Sequence, residues 1–303
     1  EECVNVAAVG MKDTDNMVDE ANVDKAVQVM ANIAALQHSL PRLFGTLVRG
    51  MCHVGMIRAD QLADTFQYAE STLKGADKAC DNQVGAMYGL VYEICRNKMD
   101  AHLNYALDGF NWVAKSVRET PNAYCEGLIG YMRGVFDSLG PMDEGSRAGL
   151  HFSCCAYVSE RLVRILSERP VEGMSTNMGL PPIAKIDAFG LKNLSRDVEE
   201  FRKFAESTGV PQLVDCFDEL KSITDAMLDK DLPVLLQPEN SAHRKQRYPY
   251  LSLEKVGNIL EKYIGTGGLG TSIMGGGRAT GDMLVLDKKE VVNLLRLVRA
   301  HGV

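Results

Sequence analysis

The sequence predicts an all-α chain: elongated antiparallel helical bundles arranged as two consecutive subdomains. Three observations predict it. Apolar residues recur at three- and four-residue steps along most of the 303 residues. Glycine and proline punctuate those runs at helix-ending positions. Period-two alternation, the mark of a half-buried strand, is nearly absent.

Taken in order, residues 1–14 carry little pattern and read as a ragged end. A helix is expected from Asp15 to Leu40, with Val18, Ala21, Val27, Met30, Ile33 and Ala34 on its apolar side. Pro41 should kink or restart it, and Arg42–Met51 continues with Leu43, Phe44, Leu47 and Val48. Asp60 opens the next helix (Leu62, Phe66, Ala69, Leu73), which Gly75 weakens. The longest pattern runs from Asn82 to Val117 and includes Met87, Leu90, Val91, Ile94, Met99, Leu103, Ala106, Phe110 and Val113. Pro121 begins another helix, and Gly140-Pro141 separates it from one spanning Asp143 to Glu168. Between Ala148 and Val158 that helix is apolar on nearly all sides, which marks a buried central element.

Pro170–Pro182 reads as a linker. A helix pair follows. Leu191, Leu194, Val198, Phe201 and Phe204 form one stripe, with Ser195, Arg196, Glu199, Glu200, Arg202 and Lys203 opposite. Gly209 ends it and Pro211 starts its partner, whose stripe is Leu213, Phe217, Leu220, Thr224 and Met227. Neither stripe can be buried alone, so the two helices fold back on each other. Pro233, Pro238 and Pro249 bound an irregular stretch holding His243-Arg244-Lys245 and Arg247. Ser252 caps a helix (Val256, Ile259, Leu260, Tyr263, Ile264). Residues 265–282 are glycine-rich and expected to be mobile. Asp287 and Glu290 have capping-box spacing for a last helix, Val291–Ala300. The subdomain boundary is placed at 118/119.

Composition narrows the function. A net charge of -7 argues against nucleic acid held by charge. No run of eighteen apolar residues exists to span a membrane. The eight cysteines show neither Cys-x-x-Cys nor His at zinc-finger spacing, and read as reduced, mostly buried small hydrophobes. The chain opens Glu1-Glu2-Cys3 with no initiator methionine and reads as a fragment of something longer.

Catalytic and cofactor motifs are weak. Gly265-Thr266-Gly267-Gly268-Leu269-Gly270 matches the dinucleotide fingerprint in letters. A helix, not a strand, precedes it, so it reads as a loop. The six histidines are dispersed without His-Glu-x-x-His, and no Gly-x-Ser-x-Gly occurs. Cys154 sits in the apolar helix, where burial makes a thiol inert. The residues therefore favour a non-enzymatic interaction module without cofactor or metal over an enzyme assembled from distant positions.

Several segments resemble a known family. They are Leu128-Ile129-Gly130-Tyr131-Met132, Phe152-Ser153-Cys154-Cys155-Ala156, Asn193 to Phe204, Cys216-Phe217-Asp218-Glu219-Leu220, Tyr250-Leu251 and Ile259-Leu260-Glu261-Lys262. In order and spacing they are similar to the C-terminal region of the exocyst subunit Sec-fifteen, one of the helical-rod tethering proteins. Asn193 or Ser195 stands where the family has an asparagine, and the 265–282 insert has no counterpart. The resemblance implies a vesicle-tethering subunit in the cytoplasm, peripheral at secretory vesicles and the plasma membrane. It implies contact with a GTP-loaded Rab GTPase and with other exocyst subunits. The Rab contact is expected at Asn193, Ser195, Asp197 and Glu200. The rival reading is a scaffold subunit of another helical tether, of the Golgi type, or another helical interaction module.

Overall fold

A computed structural model of the chain describes residues 20–108, 112–169, 182–265 and 283–301. Its helices are α1 (Glu20–His53), α2 (Leu62–Asp108), α3 (Ala123–Ser138), α4 (Glu144–Ser167), α5 (Ala188–Ser207), α6 (Gln212–Asp215), α7 (Asp218–Leu228), α8 (Leu232–Leu235), α9 (Ser241–Arg247), α10 (Leu253–Lys262) and α11 (Lys288–His301). Among the described residues there is no strand, and one isolated parallel bridge joins Ile186 to Tyr263. The fold is all-α, as its periodicity demands. The expected linker 170–181 and the glycine-rich 266–282 lie outside the described residues.

Contacts divide the chain into two compact units. One gathers the residues up to Lys98 with Arg133–Leu150, the other Met99–Met132 with the residues from His151 on. The expected boundary at 118/119 falls in the non-helical stretch 112–122 that precedes α3. In the first unit Val23, Ala26, Val27, Met30 and Val48 of α1 are buried, as are Met87, Val91, Ile94 and Cys95 of α2. Gln37 Nε2 donates to Asp77 and Asp81, each at 2.8 Å, and so ties α1 to α2. The second unit is built on α4, where Leu150's successors Cys154, Cys155, Val158, Leu162 and Leu166 are buried, and on the inward stripes of α5, α7 and α10. Tyr157 of α4 donates to both oxygens of Asp100 on α2 at 2.8 Å.

Several expected boundaries are corrected. The helix does not restart at Pro41: α1 runs on through it, and Pro41 lies exposed on the solvent face. Likewise α2 runs unbroken through Gly75. It ends at Asp108, well short of Val117. The backbone of Trp112–Asn122 bonds to α5 instead of continuing the helix. On α4, Phe152 is half exposed, so this apolar helix is not buried on every side. The partner of α5 is two helices, because the backbone turns at Phe217 (φ -99, ψ 2). The basic stretch is helical, not irregular. Arg244 is buried and donates to Leu235 O at 2.9 Å, while Arg247 pairs with Asp229 and Asp231.

Other signals appear as read. Gly209 has φ +75, the left-handed conformation that closes α5 at no steric cost. Asp287 Oδ1 accepts from Lys289 N and Glu290 N, while Glu290 Oε2 accepts from Asp287 N at 2.7 Å. This is a complete capping box. Ser252 precedes α10 but offers its carbonyl, not its hydroxyl, to the helix.

Candidate partner-binding face

Helix α5 carries two different faces. Its apolar stripe, Leu191, Leu194, Val198, Phe201 and Phe204, is fully interior. Phe201 stacks on Phe217, with ring centroids 5.5 Å apart and an interplanar angle of 4°. Burying two such rings contributes about 1.5–3 kcal/mol each.

Beside that stripe runs a polar rail at helical spacing: Asp187, Gly190, Asn193 and Asp197. Asp187 caps α5, accepting from Gly190 N at 2.7 Å, and accepts again from Ala114 N at 3.2 Å. Asp187 N donates to Trp112 O at 3.1 Å. Asn193 Oδ1 accepts from Arg118 N at 2.8 Å, and its Nδ2 donates to Ser116 O. Asp197 accepts from Asn122 N at 2.9 Å and from Asn122 Nδ2 at 2.8 Å. Arg196 Nη1 donates to Glu119 O. The stretch from Trp112 to Asn122 thus lies along α5 as a strap, and the rail satisfies backbone groups that have no ladder of their own. Trp112 is itself anchored, its Nε1 donating to Ala106 O at 3.0 Å.

The rail sets the electrostatics. Asp197 is wholly buried, and burial lifts its carboxyl from the ordinary 3.8 to about 6. The hydrogen bonds from Asn122 and Tyr124 and the charge of Arg118 pull it back down. Burial also pushes the Tyr124 hydroxyl and the Cys125 thiol well up. Cys155 is raised to about 12, so this buried thiol is no nucleophile at neutral pH.

The outward face of α5 is charged. Lys203 Nζ contacts Glu200 Oε1 at 2.7 Å. Arg202 pairs with Asp218 and Lys221 with Glu199, which joins α5 to α7. Lys255 pairs with Glu219, which joins α7 to α10. These half-exposed pairs fix side chains in place and contribute little stability.

Of the four residues expected to meet a partner, Asn193, Ser195 and Asp197 are buried, and Glu200 is half exposed. Asn193 and Asp197 spend their polar groups on the strap. Ser195 was expected on the outer face and lies inside. Sequence reasoning missed the strap, because the partners of Asn193 and Asp197 lie 75 positions away in the chain. Among the described residues no group of three or more His, Cys, Asp or Glu could hold a metal ion.

A model of the family described as Exocyst complex subunit Sec15 C-terminal matches residues 12–262. The chain belongs to that family. That membership supports a role as part of an exocyst subunit. The Sec15 family is a structural tethering family and not a known enzyme family. No curated protein sequence matches this exocyst subunit. Among solved structures it is similar to a chain of "Structure of Myo2-GTD in complex with Smy1", with a TM-score of 0.52 and 9% identity. The match covers 98% of this chain and 65% of that chain, and at such identity it speaks to the helical fold alone. No described helix of the subunit is long and apolar enough to cross a membrane.

Proposed function

We propose that this exocyst subunit docks secretory vesicles to the plasma membrane by binding a GTP-loaded Rab GTPase. In this reading it works from the cytoplasm, peripheral to vesicle and plasma membrane, together with other exocyst subunits and without catalysis. Membership of the Sec15 C-terminal family over residues 12–262 carries the reading. The contact is the outward face of α5 around Glu200. Asn193 and Asp197 serve it from within, by holding α5 and the strap in one arrangement, and Ser195 lies buried beside them. A preformed, charged helical face suits recognition of a folded partner because little ordering is lost on binding.

A pull-down tests this. The chain on beads is offered a panel of Rab GTPases, each loaded with GDP or with a non-hydrolysable GTP analogue. Retention of one Rab in the GTP form alone is expected. The substitution Glu200→Arg should reduce it about fivefold or more, since reversing a rim charge juxtaposes like charges. Equal retention in both nucleotide states, or none with any Rab, rejects the proposal.

A further inference from the structure

A cavity of about 600 Å³ opens where the end of α4 approaches α10 and α11. Arg169, Glu254, Asn258, Glu261 and Arg299 line it, and Val298 supplies an apolar wall. One carboxylate oxygen organises it. Glu261 Oε1 accepts from Arg169 Nη2 at 2.9 Å and from Arg299 Nη2 at 2.9 Å. Two guanidiniums from distant parts of the chain therefore stand side by side. Each carries five N–H donors, and Glu261 engages only one of them on each. Both arginine side chains remain well exposed, 63% and 66%. A guanidinium pair held this way is a fork without its second acceptor.

The charge balance indicates which acceptor fits. Two arginines face two glutamates across the cavity, so the lining is neutral as a whole. A multiply charged phosphate would meet Glu254 and Glu261 at close range. A single carboxylate would meet the forks and leave the rest of its chain to Asn258 and Val298. We propose that this cavity receives a lone aspartate or glutamate side chain from an otherwise uncharged segment of a partner protein, with Arg169 and Arg299 as its ligands. The site is separate from the α5 face and does not depend on the Rab reading.

The test uses a rhodamine-labelled, end-blocked peptide with one glutamate among serine and leucine residues, and its glutamine twin. Fluorescence anisotropy is read against the intact chain. The glutamate peptide should bind and the glutamine twin should bind about tenfold more weakly, the loss expected for charge-assisted hydrogen bonds. The double variant R169A/R299A should weaken the glutamate peptide about tenfold as well. R169K/R299K keeps the charge but loses the fork, so it should also weaken binding. Arg296→Ala, an exposed arginine outside the lining, should leave it unchanged. Inorganic phosphate should not displace the peptide, while acetate, a single carboxylate, should. Equal binding of the two peptides, equal loss in the Arg296 variant, or displacement by phosphate and not by acetate overturns the proposal. Circular dichroism confirms that each variant is folded, and these exposed arginines can be replaced without opening the core.

Discussion

At Gly190 there is no room for a β-carbon. One built there would lie 2.0 Å from Trp112 O and 2.7 Å from its carbonyl carbon. Both are backbone atoms of the strap, so neither can swing aside as a side chain would. Gly190→Ala should therefore cost about 2–4 kcal/mol, in the range of a severe local clash. The urea midpoint reports it, and a loss below about 1 kcal/mol would mean that the strap slides freely along α5. Asp197 makes a different prediction. Its folded carboxyl titrates at about 6 against an ordinary 3.8. Between those values the folded chain binds more protons than the unfolded one. Stability contributed by this group is thus present at low pH and lost as pH rises through about 6. The difference is on the order of 2–3 kcal/mol. Asp197→Asn cannot ionise, so raising the pH from about 4 to about 7 should destabilise the unmodified chain relative to this variant. Urea melts of both proteins at both pH values check the sign, and a pH-independent difference would rule out Asp197 as the titrating group.

At the scale of elements, α5 and α7 are a pair sealed by Phe201 against Phe217. Both rings are fully buried, so Phe217→Ala should cost about 3–5 kcal/mol. Lys221→Ala removes only half-exposed ion pairs and should cost less than about 1 kcal/mol. Thermal or chemical denaturation distinguishes the two, and a larger loss at Lys221 would put charge before packing in this pair. The pairing was legible because a stripe such as Leu191, Leu194, Val198, Phe201 and Phe204 has only one way to leave water. So were the stop at Gly209 and the box at Asp287 and Glu290, whose chemistry is local. The strap was not legible. In the sequence its residue Val113 continues the helical period of α2, and nothing nearby opposes it. The competing bonds come from residues some 75 positions further on, and they outweigh a propensity worth less than about 1 kcal/mol per residue. For the same reason Asn193 and Asp197 looked outward-facing. A polar residue beside an apolar stripe reads as solvated unless its distant partner is known.

For the whole molecule, the family match and the all-helical fold agree with a protein that recognises partners through surfaces. Two compact units each draw on residues from separate parts of the chain. Helices α2, α3 and α4 each contribute to both. A lesion in any of these three helices therefore bears on both cores, whereas α5, α7, α10 and α11 belong to one. The two proposed contacts, the α5 face and the Arg169–Arg299 cavity, lie in that same unit. The strap has a consequence for biosynthesis. On the ribosome Trp112–Asn122 emerges long before its rail does, and must wait for about 75 more residues to be translated. A nascent chain halted before Asp197 leaves that stretch with carbonyls and amides that only water can satisfy until α5 arrives.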